Sequence, residues 1–243
     1  MIPIHGQYAN ALKTSQAASV ARVAAAFGYH VRAHVHQLSH SIAIELSNLE
    51  NVTILEGTLE DQRLLAKIFD GAQKAFINTV SFGDEVTIGK ALANAAKKAG
   101  IQHYIYSSMP DHSIYGKWPA LPLWSVKFTV ENYIRQASSI IASSMTMLML
   151  IAPQIGLPAT FVYTGIYNNN FTSLPYPLFC MKIQPNGSFV WKAPFDIDRP
   201  IPWLDAEHDV GPAVLQIFKD GVRKWKLQRL VLMLQLHPYL ISL

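Results

Sequence analysis

Between residues 16 and 163 the chain repeats one pattern, a helical run, a break, and a short apolar strand. "QAASVARVAAAF" reads as a helix that stops at Gly28, and Val31-Arg-Ala-His-Val-His36 alternates as a strand does. Further strands are predicted over 51–57, 75–80, 102–107 and 159–163. Leu64, Leu65, Ile68 and Phe69 fall at helical spacing before Gly71, and 127–136 is helical. Residues 85–99 also read as a helix, with Asp84 and Glu85 at its start and Lys97 and Lys98 at its end, charges that complement the helix dipole. Strands separated by helices cannot pair as hairpins. They pair in parallel, with helices on both faces, which makes the fold class α/β with a doubly wound parallel sheet. Ligands of such sheets collect at the carboxyl ends of the strands. That directs attention to Asn78, Thr79, Ser107, Ser108, Met109 and the stretch after Tyr163.

With 243 residues, half of them apolar, the chain can bury a real core in one domain with a small appendage. Charged residues make up only 15%, the formal net charge is +4, and the basic residues form no block, so no direct nucleic-acid partner is expected. The single cysteine, Cys180, cannot form an internal disulfide, which fits a reducing compartment. "MIPIHGQYAN" lacks the basic and apolar regions of a signal peptide. His30, His34, His36 and His40 cluster, but no Cys or acid joins them, and no metal site is expected.

Several longer motifs occur in order: "QAASVARVAAAFGYHVRAHVH", "AFINTV", "QHYIYSSMPDHSIYGKWPA", "KFTVENYIRQ", "GLPATFVYTGIYNNNFTSLPYPLF" and "PWLDAEHDVGPAVLQIFKDG". Together they resemble the NmrA-like family, an atypical branch of the short-chain dehydrogenase/reductase superfamily, over most of residues 16–221. The resemblance implies a Rossmann-like fold, a site for NAD or NADP, and regulation of a GATA-type transcription factor in nitrogen metabolite repression. It places the protein in the cytoplasm, the nucleus or both.

A pyrophosphate needs backbone N–H groups at a helix N-terminus, and glycines let the backbone approach it. The family pattern is a strand ending in a glycine-rich turn, followed by a helix carrying Gln-Ala-Ala-Ser. This sequence keeps Gln16-Ala17-Ala18-Ser19 but reads Leu12-Lys13-Thr14-Ser15 in front of it. Residues 1–13 contain Pro3, Gly6 and Asn10 and no hydrophobic run, so the first strand is expected to be missing. Two readings stay open. The N–H groups near Thr14, Ser15 and Gln16 hold phosphate in a divergent turn, or an altered start impairs the site; the second is preferred. The resemblance suggests Arg32 and His36 as adenosine-side contacts. No acid stands in "HVRAHVHQLSH" to hold a ribose, and a basic residue there suits a 2′-phosphate, so NAD and NADP both remain candidates.

Reductases of the superfamily place a Tyr one helical turn before a Lys, with a Ser nearby. Lys127 stands in the right helix and Ser107 and Ser108 end the preceding strand, but Leu123 occupies the phenol's place. Tyr115 is a spare phenol in a Pro/Gly-containing loop. No catalytic residue is assigned, and a binding and regulatory module is preferred to a reductase or an inactive paralogue. Asn78 and Thr79, at a strand end, are candidate cofactor contacts, to which the resemblance adds Lys127, Tyr163, Gly165 and Asn168. In "LDAEHD" the acids Asp205, Glu207 and Asp209 are read as structural, with Asp209 capping a helix that has Pro212 early.

Two stretches depart from the family pattern. Residues 137–155, "ASSIIASSMTMLMLIAPQI", are uncharged and as long as a minimal membrane span. An insertion in a surface loop is preferred to a span, which would interrupt one compact sheet, or to a prolonged helix. After Gly221, "VRKWKLQRLVLMLQLHPYLISL" places Leu227, Leu230, Val231 and Leu234 on one helical stripe, and a shifted frame or alternative exon is the favoured origin. The expected organisation is a Rossmann-like NAD(P)-binding domain over 1–167, including the 137–155 insertion, and a partial, truncated smaller α/β region over 168–243.

Overall fold

Every stretch predicted as a strand lies in one sheet. The structure, a computed structural model, describes residues 2–6, 16–79, 84–116, 119–136, 156–168, 170, 182–190, 202–225 and 229–232. In chain order the main elements are β1 (Ile2–Gly6), α1 (Gln16–Ala26), β2 (Val31–Val35), α2 (Ser41–Ser47), β3 (Val52–Glu56), α3 (Gln62–Phe69) and β4 (Lys74–Asn78). Then come α4 (Glu85–Lys98), β5 (His103–Ser108), α5 (Pro122–Gln136), β6 (Ala159–Thr164) and β7 (Ile166–Tyr167). A short hairpin, β8 (Lys182–Ile183) and β9 (Phe189–Val190), precedes β10 (Trp203–Leu204), α6 (Val210–Asp220), α7 (Val222–Trp225) and β11 (Arg229–Leu232).

Seven strands pair in the order β11-β6-β5-β4-β1-β2-β3, all parallel. Alternation within each strand sorts side chains to two helical layers. Ile77, Tyr104, Tyr106 and Phe161 face the layer of α3, α4 and α5, where Leu65, Ile68, Leu92, Val130 and Ile134 meet them. Phe76, Ile105 and Val162 face α1, α2 and α6. The alanine-rich α1 lets α6 come close: a side chain at Gly211 would stand 2.5 Å from the Ser19 carbonyl oxygen. The Gly211 N–H instead donates to Ser19 Oγ at 2.9 Å.

The first strand, expected to be missing, is present. β1 pairs with β2 through Ile2–Val31 to His5–His34 and with β4 through Ile4–Phe76 to Gly6–Asn78. A central strand is held by ladders on both sides, so five residues suffice even with Pro3 removing one donor. The slot between β2 and β4 decides, more than the hydrophobic content of the segment.

The helical stripe expected after Gly221 is corrected in the same way. Arg229–Leu232 is a strand, paired with Phe161–Thr164 of β6. An apolar run beside an open strand edge satisfies that edge's N–H and C=O groups, which a helix there cannot do. α6 packs on α1, and β11 joins the main sheet. Asp209 precedes α6 as expected, but its backbone is helical, with φ −91° and ψ −34°, and its side chain makes no cap bond. Its carboxylate accepts the Asp205 N–H at 2.8 Å. The 137–155 segment lies outside the described residues, among which no helix is long and apolar enough to cross a membrane.

Candidate functional site

The strand order reverses between β4 and β1, and such a reversal opens a crevice beyond the carboxyl ends. β4 ends there at Asn78 with Thr79 just beyond, beside the end of β1 at Gly6. α5 brings Lys127 to the same place. Its ammonium lies 3.3 Å from Asn78 Oδ1 and 3.4 Å from Thr79 Oγ1, and it also donates to the Thr79 carbonyl oxygen. The fourth partner is Glu85, first residue of α4, whose Oε1 lies 3.1 Å from Lys127 Nζ. Thr79 Oγ1 donates to Glu85 Oε1 at 2.7 Å and lies 2.8 Å from the Tyr106 hydroxyl. The threonine has one proton, and Glu85 takes it, so Tyr106 is the donor to Thr79. Burial pulls the lysine below its ordinary pKa and the Glu85 carboxylate opposes the shift, while burial raises the Tyr106 phenol.

Asn78, Thr79 and Lys127 are thus brought together, and Glu85 and Tyr106 join them. The sequence marked Glu85 only as a dipole charge at a helix start. Its adjacency to the cap residue Asp84, whose Oδ1 accepts the Thr87 N–H at 3.1 Å, gave a signal for position but none for burial. Leu123 lies one turn before Lys127 and is 61% exposed, with no proton to transfer. Ser108 is buried and its hydroxyl reaches the Lys127 backbone carbonyl oxygen at 3.4 Å. The Tyr115 side chain lies outside the described residues.

A second polar group sits where α1 begins. Buried Gln16 points its amide nitrogen at Thr164 Oγ1, 3.4 Å away, and at the Tyr167 hydroxyl. Its oxygen is buried without a hydrogen-bond partner among the described residues. An unmet acceptor at the carboxyl edge and a cationic donor at Lys127 fit a ligand carrying hydroxyl or amide N–H groups and negative charge. Thr14 and Ser15 lie outside the described residues. Gly165 joins β6 to β7, and a side chain there would come within 1.9 Å of the Pro202 carbonyl oxygen. Asn168 is exposed and its N–H donates to Leu204 O at 2.9 Å. Tyr163 turns into the core, where its hydroxyl donates to the fully buried Glu131 at 2.8 Å.

Arg32 does not join this edge. It is the second residue of β2, and its guanidinium donates to the Lys67 and Ile68 carbonyls of α3 at 3.0 and 3.1 Å. His36 follows the end of β2 and is half-buried. His34 is buried against the Gly57 carbonyl at 2.9 Å, and His40 Nδ1 accepts the Ile42 N–H of α2 at 3.4 Å. Asp205 closes its own turn, accepting the Glu207 and His208 N–H groups, while Glu207 pairs with Arg22 of α1 at 3.1 Å.

The model of the NmrA-like family matches residues 14–236. The nitrogen metabolite repression protein nmrA of Emericella nidulans is 61% identical over 220 residues, which is 89% of this chain and 57% of that protein. The chain therefore spans little more than half the length of this relative. A crystal structure of NmrA, a negative transcriptional regulator, in complex with NADP has 61% identity and a TM-score of 0.79, over 90% of this chain and 63% of that one. Its complex with NAD has 57% identity and a TM-score of 0.82, over 98% and 67%. The family match extends past Gly221, where the sequence motifs end, so residues 222–236 continue the family pattern.

Proposed function

This chain belongs to the NmrA-like family, and from that membership we propose that it is a regulatory protein that binds NAD or NADP at the carboxyl edge of its sheet. It would use the dinucleotide as a signal, modulate a GATA-type transcription factor in nitrogen metabolite repression, and act in the cytoplasm, the nucleus or both. The observation that carries this reading is Lys127, held at the crevice with Asn78 and Thr79 in a fold whose close relatives were crystallised with NADP and with NAD. Lys127 and Asn78 supply polar contacts to a ribose or nicotinamide, and the Gln16 oxygen accepts from it. Gly165 joins β6 to β7, Asn168 follows β7, and His36 stands on the adenosine side. Arg32 is engaged by α3 and is left out. The bound group would supply hydride chemistry in an enzyme, and Leu123 in the phenol's place supports a regulator over a reductase.

Residues 7–15 contain no glycine, so we also propose that affinity is lower than in relatives with a glycine-rich turn. Isothermal titration with NAD and NADP, beside circular dichroism of the same sample, tests the reading. Binding is expected, and Lys127→Ala should weaken it roughly 10- to 100-fold, the loss of one charge-assisted hydrogen bond. A folded protein that gives no heat with either nucleotide would overturn it.

A further inference from the structure

We infer that Glu85 is a positioning residue of this site: from the first turn of α4 it holds the Lys127 ammonium against the end of β4. The inference rests on the reading of Lys127 as a dinucleotide contact and adds the group that sets its charge and aim. An ammonium has three protons, and four acceptors lie within reach of Lys127: Asn78 Oδ1, Thr79 O, Thr79 Oγ1 and Glu85 Oε1. Only Glu85 is charged. The side chains of the pair are 16% and 2% exposed, so the carboxylate is buried and the ammonium largely so. A buried ammonium deprived of this carboxylate gives up its proton more easily.

The surrounding bonds hold Glu85 in turn. Tyr106 on β5 donates to Thr79, Thr79 donates to Glu85 Oε1, and Lys127 reaches the same oxygen. The polarity of this chain runs one way, and a carboxylate at its end satisfies both donors. Among the described residues Glu131 of α5, itself paired with Arg135 at 2.6 Å, also bears on the Tyr106 phenol. Among the four acceptors, the neutral ones on Asn78 and Thr79 are those an entering ligand hydroxyl can displace, because a bond to a carboxylate is the stronger. Lys127 is therefore charged and aimed before any ligand arrives.

The pH dependence of reductive methylation at Lys127, followed by mass spectrometry of the whole chain, reads the pairing without nucleotide. In the unsubstituted protein Lys127 should resist modification well past neutrality. In Glu85→Gln the midpoint should fall by at least about 1 pH unit, toward the range of a buried lysine without a partner. Glu85→Asp, which keeps the charge, should restore most of the shift. Equal Lys127 profiles in folded Glu85→Gln and the unsubstituted protein would overturn the inference. Should Glu85→Gln not fold, the unsubstituted profile decides, since a Lys127 that already reacts as a free amine below about pH 8 also overturns it. NAD titration of the same samples separates the two readings. Absent binding with a shifted Lys127 profile defeats the nucleotide reading alone, and retained binding with an unshifted profile defeats the role of Glu85 alone.

Discussion

His103 shows how a single residue can be legible as to place and illegible as to chemistry. The strand prediction put it beside the start of β5, and the fold buries it to 3% exposure. One ring nitrogen meets Thr160 Oγ1 at 2.9 Å, the Phe218 ring stands edge-on at 5.4 Å, and the other nitrogen has no hydrogen-bond partner among the described residues. Burial, and then the nearby Lys74, hold its pKa down to about 4 against an ordinary 6.5. The unfolded chain thus takes up this proton more readily than the folded one. The contribution to stability is whole above pH 6.5 and is lost as pH falls toward about 4, by about 3 kcal/mol. Urea midpoints measured across that window should fall with pH, and His103→Gln should flatten the dependence. That Asn78 and Thr79 end a strand followed from local spacing, and Lys127 was singled out by the family resemblance. Glu85 and Tyr106 were not legible, because only packing shows that a helix-start carboxylate and a strand phenol turn inward to the same lysine.

At the scale of elements, β1 and the segment after it carry the argument. The prediction of a missing first strand rested on the lack of an apolar run in residues 1–13, yet Ile4 pairs at once with Ala33 and Phe76. With that strand in place, an impaired phosphate site would rest on residues 7–15 alone. Introducing glycines there, as Lys13→Gly with Ser15→Gly, should raise NAD affinity by at least about tenfold, since closer backbone approach adds N–H contacts to phosphate. Titration calorimetry of the two proteins checks this, and unchanged affinity would place the limitation elsewhere. α5 gives the complementary lesson. Its predicted start at Lys127 moves back to Pro122, a residue suited to the first helical position. That shift puts Leu123 and Lys127 on one continuous helix.

At the scale of the whole molecule, α6 and β11 return to the sheet that the first half begins. β11 covers the edge of β6, so removing residues 226–243 should leave that edge open. A fall in Tm of at least about 5 °C with concentration-dependent aggregation is expected, measured by thermal unfolding at several protein concentrations. The sequence by itself determined the α/β class, the strand-helix order from residue 16 to 163, and the family with its dinucleotide and regulatory implications. Periodicity, breaker residues and long motifs are local properties that one chain displays on its face. Only the tertiary structure decided that Ile2–Gly6 is a central strand, that Arg229–Leu232 is an edge strand, that Arg32 serves α3, and that Glu85 is the counter-charge of Lys127. Each of these depends on hydrogen bonds and burial supplied by residues distant in sequence, and short segments with weak local preference take the conformation their neighbours can satisfy.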